Sequence, residues 1–147
     1  MAKKILWLDD EPVKAMPYLQ ILKDEGYLAR VVSSVTEAEA LLNTVHYDLF
    51  ILDVMIPTKN SDEEKTFPPD KTEYGRKLGL YFYLEYKTKF QPDKTQILVL
   101  TQRIDYDIRD EFIKAGLLPE QFCTKFALRD VEVFLRKIKY LLGEQYE

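Results

Sequence analysis

Three carboxylates, a hydroxyl and an amine stand where short apolar runs end in this sequence. Asp9-Asp10 follow Ile5-Leu6-Trp7-Leu8, Asp53 follows Leu49-Phe50-Ile51-Leu52, Thr101 closes Ile97-Leu98-Val99-Leu100, and Lys125 comes just after Gln121-Phe122-Cys123-Thr124. Brought to one rim, the three acids repel one another and are best tolerated around a bound cation. Oxygen ligands favour a hard ion, and a site with few protein ligands and room for water suits Mg2+ better than Ca2+. Such an ion attracts a phosphoryl group. Lys125 then offers a mobile point charge to phosphate oxygens, and Thr101 offers a hydrogen bond. With the transferring group held this way, Asp53 can act as a nucleophile and form an aspartyl phosphate.

Residue counts remove most competing chemistries. Cys123 is the only cysteine and His46 the only histidine, so disulfide frameworks, Cys/His zinc sites and two-histidine catalysis are excluded. A formal net charge of -4 leaves no basic footprint for nucleic acid. The 147 residues, 46% hydrophobic and 31% charged, describe one soluble globular domain with a real core, and no apolar run is long enough to cross a bilayer. Met1-Ala2-Lys3-Lys4-Ile5 enters a strand-like segment at once with no room for a signal peptide, which makes a cytoplasmic location the expectation.

The elements that must position these residues follow from periodicity. Four large apolar residues without alternation, as in Leu49-Phe50-Ile51-Leu52, suit a strand covered on both faces, and such strands lie in parallel sheets flanked by helices. The first helix is expected to start between Pro12 and Pro17 and to run to Glu25, with Gly26 past its end. Tyr27 to Val32 reads as the second strand. Ser34 and Glu37 form an S-x-x-E capping box ahead of Ala38, Leu41, Leu42 and Val45 at helical spacing. After Pro57 the pattern breaks: Thr58 to Tyr74 is polar and charged, carries a Pro68-Pro69 pair, and has Phe67 as its large apolar residue. A loop this long usually means function or disorder, and it reads here as a mobile, solvated insert. Helical pattern resumes near Gly75 and runs to about Phe90, closed by Pro92. Asp105 to Ala115 is a further helix capped by Gly116, and Val131 to Leu142 is the closing helix, with one apolar stripe. Five strands alternating with five helices imply a parallel sheet wrapped on both faces through right-handed crossovers. The acidic tips then meet at the C-terminal edge, where such sheets bind ligands.

Asp9-Asp10, Asp53 followed by Val54-Met55-Ile56-Pro57, Thr101 and Lys125, in this order and at these strand ends, resemble the receiver domain of two-component response regulators. The resemblance covers the whole chain except the insert at about 58–74. It implies an α/β fold with three αβα layers, a doubly wound, flavodoxin-like, five-stranded parallel sheet in strand order 2-1-3-4-5. It further implies that Asp53 is the phosphoacceptor and that Asp9, Asp10, Asp53 and the Met55 backbone carbonyl hold Mg2+. Thr101 and Lys125 would contact the phosphoryl oxygens. Phe122 falls where the family keeps an aromatic residue that swings inward on phosphorylation, with Thr101 as its switch partner.

On this resemblance the chain is a stand-alone response regulator. It takes a phosphoryl group from a histidine kinase or phosphotransfer protein in a magnesium-dependent reaction and signals to a downstream protein partner through its last strand and the flanking helices. No nucleic acid or membrane is contacted directly, and no enzymatic activity is implied beyond phosphoryl transfer to Asp53 and its hydrolysis. Three features depart from the pattern. Gln102 stands where the family has a small residue, Phe126 where it has a proline, and the insert follows the acceptor directly. The Lys125-Phe126 bond is expected to be trans, since a cis bond before a residue other than proline costs roughly 2.5–4 kcal/mol. The alternative is a receiver-like interaction module with weak or no phosphorylation. Read singly, Trp7, Cys123 and Phe122 are packing residues and His46 is solvated. The aromatic run Tyr81-Phe82-Tyr83 with Tyr86 and Phe90 divides between core and a partly exposed face.

Overall fold

The computed structural model describes residues 2–89, 95–102 and 105–144. Five strands form one parallel sheet: β1 (Lys4–Leu8), β2 (Leu28–Val32), β3 (Leu49–Leu52), β4 (Gln96–Thr101) and β5 (Phe122–Thr124), in the order β2-β1-β3-β4-β5. The register pairs Leu8 with Leu52, Leu52 with Val99, and Thr101 with Thr124, so the strand tips end along one edge. This is the parallel, doubly wound sheet that periodicity predicts, in the strand order that the resemblance implies.

Seven helices lie among the described residues: α1 (Pro12–Asp24), α2 (Val35–Thr44), α3 (Ser61–Thr66), α4 (Pro69–Thr72), α5 (Leu78–Lys89), α6 (Tyr106–Lys114) and α7 (Val131–Leu141). Because side chains alternate across a strand, the apolar runs of β1, β3 and β4 feed two separate cores. Ile5, Trp7, Leu49, Ile51, Leu98 and Leu100 face α1 and α7 and pack with Ala15, Leu22, Phe134 and Ile138. Leu6, Leu8, Phe50, Leu52, Ile97 and Val99 face the other way, against Val35 and Ala38 of α2, Phe82 and Tyr86 of α5, and Phe112 of α6. The three central strands are thereby covered on both sides.

Local chemistry sets the helix ends. Ser34 caps α2 by accepting from Glu37 N at 3.2 Å, and Asp130 caps α7 by accepting from Glu132 N at 2.9 Å and Val133 N at 3.2 Å. Helix α1 starts at Pro12 and carries Pro17 in its second turn. The bond that Pro17 cannot donate falls to the carbonyl of Val13, a residue 82% exposed and open to water. Tyr27 lies outside β2, since its N–H closes α1 by donating to Leu22 O at 3.0 Å. The aromatic run on α5 is mostly core: Phe82, Tyr83 and Tyr86 are buried. Phe90 and Pro92, expected to end that helix, lie outside the described residues.

The insert departs most from expectation. In place of a mobile loop, residues 58–77 carry α3, α4 and a turn, all docked on the body. Glu63 is the reason. Its carboxylate accepts from the Thr36 N–H at 3.2 Å, from the Thr36 hydroxyl, and from Lys59 N at 2.7 Å, so an acid is buried against the first turn of α2. Its own helix is capped by Asn60, whose side chain accepts from Glu63 N at 2.9 Å. Phe67 packs its ring 6.3 Å from Phe82, and the return path is tied down by Ile56 N donating to Gly75 O at 3.1 Å. Helix α5 then starts at Leu78 and packs on the chain leaving β3. Gly79 N donates to Val54 O at 2.9 Å, and a Cβ at Gly79 would lie 2.2 Å from Asp53 O. Only a residue without a side chain lets this helix approach so closely.

Candidate functional site

The edge of the sheet gathers the acids as the spacing implies. Carboxylate oxygens of Asp9, Asp10 and Asp53 all lie within 4.8 Å of one another. Asp9 and Asp53 are buried, 1% and 3% exposed, because each follows directly on a buried strand, and Asp10 is half-buried. The backbone holds the carboxylates: Glu11 N donates to Asp9 Oδ1 at 2.8 Å, and Val54 N donates to Asp53 Oδ1 at 2.8 Å.

Lys125 reaches this group from the end of β5, its Nζ 2.8 Å from Asp9 Oδ2 and 3.1 Å from Asp53 Oδ2. The Lys125-Phe126 bond is trans, as expected. Phe126 itself points away, 68% exposed, with Arg129 stacked 3.8 Å above its ring. Burial raises the pKa of Asp53 to about 6; Lys125 pulls the other way and Asp9 adds to the rise. Burial, then Asp9 and Glu11, also raise that of Asp10. Burial alone would lower Lys125, but Asp53 and Asp9 outweigh it and the ammonium is held above its ordinary value. Three acids against one ammonium leave excess negative charge. An all-oxygen set of this kind fits a hard divalent cation.

Thr101 and Phe122 are placed differently from the acids. Thr101 is buried, and with Phe122, Val54, Met55, Ile108 and Asp105 it lines a separate cavity of about 10 Å3. Phe122 lies inside, 8% exposed, its ring 5.7 Å from Phe112. Asp10 and Asp53 open instead onto a cleft of about 360 Å3, whose walls also include Met55, Gln102 and Lys125. Gln102 therefore stands on the wall of the cleft that holds Asp53.

The sequence reading missed the far wall of this cleft, which is built by Tyr74 at the end of the insert and by Gly75 and Arg76 just after it. Arg76 donates through Nη1 to Glu73 Oε2 at 2.7 Å and through Nη2 to Asp105 Oδ2. Asp105 in turn caps α6, accepting from Asp107 N at 3.1 Å and Ile108 N at 3.3 Å. No periodicity announces these residues. The only available hint was the pair of basic residues Arg76-Lys77 directly after a polar insert.

No protein-family model matches this sequence, and no curated protein does. Solved structures are similar along nearly its whole length. A CheY-like response regulator receiver domain from Methanospirillum hungatei aligns with a TM-score of 0.73 at 19% identity, covering 97% of this chain and 95% of that one. The chemotaxis protein CheY4 of Vibrio cholerae aligns with a TM-score of 0.71 at 20% identity, over 96% of this chain and 99% of its own. A response regulator from Burkholderia pseudomallei, solved with a phosphorylated aspartic acid, a calcium ion and citrate, aligns with a TM-score of 0.67 at 23% identity, over 96% of this chain and 69% of that one. The chain has the fold of response regulator receiver domains, with an acidic cluster of Asp9, Asp10 and Asp53 at the C-terminal edge of its sheet.

Proposed function

We propose that this chain is a phosphorylatable signalling switch in which Asp53 is the acceptor. The observation that carries the reading is the convergence of Asp9, Asp10 and Asp53 at one strand edge with the Lys125 ammonium bridging two of them. With a pKa of about 6, Asp53 is a carboxylate at neutral pH, the form that acts as a nucleophile. The Val54 N–H orients it through Oδ1. Lys125 offsets the repulsion between this carboxylate and an incoming phosphoryl group. One oxygen of Asp53 attacks phosphorus as the bond to the donor's imidazole nitrogen breaks, and because the donor ring carries a proton on its other nitrogen it leaves as neutral histidine on the partner, a histidine kinase or phosphotransfer protein, with an aspartyl phosphate formed here. Asp9, Asp10, Asp53 and the Met55 carbonyl would hold Mg2+, which when bound neutralises charge on the transferring group. Calcium and a phosphorylated aspartate in the similar Burkholderia protein support this reading. Output to a protein partner is assigned to the face of α6, β5 and α7, with Thr101 and Phe122 beneath it.

A second reading, an interaction module that is phosphorylated weakly or not at all, is favoured by the cleft walls, where Gln102 and residues 74–76 stand beside Asp53. One experiment separates the two. The protein is mixed with Mg2+ and beryllofluoride or acetyl phosphate, and Trp7 fluorescence and intact mass are followed with Asp53→Asn as control. Trp7 lines a small cavity together with Asp9 and Lys125, so it reports on the site. A saturable Mg2+-dependent signal and a phosphoryl adduct, both absent in the variant, are expected. If neither appears, the switch is ruled out in favour of the interaction module.

A further inference from the structure

Among the described residues, Met55 and Arg76 are the two that line both the acceptor cleft and the small cavity holding Thr101 and Phe122. Met55 has no charge to respond to a phosphoryl group. Arg76 has one, and its guanidinium is shared between two carboxylates, that of Glu73 within the insert and that of Asp105 at the cap of α6. A planar five-donor fork matches phosphate oxygens and carries its charge at any pH. Exposed carboxylates compete weakly for such a group, and Glu73 is close to half exposed. A phosphoryl group in the cleft carries more charge and more acceptor oxygens than either of these carboxylates.

We infer that Arg76 is a phosphoryl-binding residue supplied by the turn that follows the insert, and that its exchange of Asp105 for the phosphoryl group carries the state of Asp53 to α6. The inference rests on the phosphoacceptor reading above. In the unmodified protein, the Arg76–Asp105 pair ties the end of the insert to the first turn of α6. When the anion is present, the guanidinium turns to it and that tie is lost. Helix α6 packs through Ile108 and Phe112 against the core that includes Phe122, so its first turn is next to the face assigned to output. The turn that follows the insert is thereby part of the switch, joining the acceptor to α6 along the wall of the Thr101 cavity.

The test is a double-mutant cycle on the full chain with Mg2+ and beryllofluoride as probe, read by Trp7 fluorescence. Losing a charge-assisted hydrogen bond should weaken binding about tenfold in R76Q. Releasing the guanidinium in D105N should act in the opposite direction and tighten it several-fold, about threefold or more. In the R76Q background, D105N should have no effect, and R76K should fall between wild type and R76Q. Amide resonances of Tyr106, Asp107 and Ile108 should shift on beryllofluoride addition in wild type and stay in place in R76Q, although its Asp53 site still fills at higher probe concentration. A wild type that forms the adduct while R76Q and D105N match it in affinity and in these shifts overturns the role of Arg76 and leaves the acceptor reading intact. A wild type that forms no Asp53-dependent adduct overturns both.

Discussion

A carboxylate that is 3% exposed has lost most of its hydration, and at Asp53 this outweighs the nearby ammonium, lifting the pKa from the ordinary 3.8 to about 6. The sign for stability follows. Between pH 4 and 6 the native state keeps a proton that the unfolded chain has released, so the Asp53 contribution to stability falls as pH rises through this window and levels off above it. Asp53→Asn removes that penalty. In magnesium-free buffer the variant should be more stable than wild type at pH 7.5 by roughly 2–3 kcal/mol, with the difference vanishing below about pH 4. Urea denaturation across that range measures it, and a difference that does not change with pH rules out the buried-carboxylate account. The same excess of negative charge prepares the site for a cation: what destabilises the bare protein is what an added Mg2+ would relieve. Asp9, Asp53 and Lys125 could be read from strand ends because each directly follows a strand, and burial of the strand carries the side chain with it. Arg76 had no such signal. Its importance comes from a turn that returns the chain to the cleft.

At the scale of elements, the loop that carries Asp53 is held by a helix that touches it backbone to backbone. Gly79 lies inside α5, where alanine would ordinarily be favoured by about 1 kcal/mol. Here a Cβ would lie 2.2 Å from Asp53 O and 2.6 Å from Val54 Cα, so either helix or loop must move. Gly79→Ala should therefore destabilise the protein by about 2 kcal/mol or more despite the gain in propensity, and should lower adduct formation at Asp53 because the loop that carries it is displaced. Thermal unfolding and intact mass after acetyl phosphate treatment check both halves. A variant as stable and as reactive as wild type would show that the approach of α5 is not constrained. Periodicity predicted a helix in this stretch but not this contact. Only the neighbour of Gly79 across the sheet edge explains a glycine inside this helix.

At the scale of the whole molecule, the insert joins three parts of the chain: α2 through Glu63, α5 through Phe67, and α6 through Arg76. Glu63 is the clearest of these to test. Glu63→Ala leaves the Thr36 and Lys59 donors without their acceptor, at a cost of about 1–3 kcal/mol. The loss should be local, with amides of Lys59, Glu64 and Phe67 exchanging hydrogen much faster while those of β1 and β3 keep their protection. Insert amides that exchange equally fast in wild type and variant would show that Glu63 does not hold the insert down. The sequence by itself determined the strand tips, the doubly wound parallel sheet and the meeting of Asp9, Asp10, Asp53 and Lys125, because each depends on which face of a strand or helix is apolar, a property written at short range with a fixed period. The tertiary structure alone decided that residues 58–77 fold into α3, α4 and a turn against the body, that Thr101 and Phe122 share a cavity apart from the cleft of Asp53, and that Arg76 lines that cleft. Those outcomes depend on pairings such as Glu63 with Thr36, 27 residues apart, and Arg76 with Asp105, 29 apart. A polar group recruited over that distance leaves no periodic trace, and a charged segment reads as solvated until its partner is known.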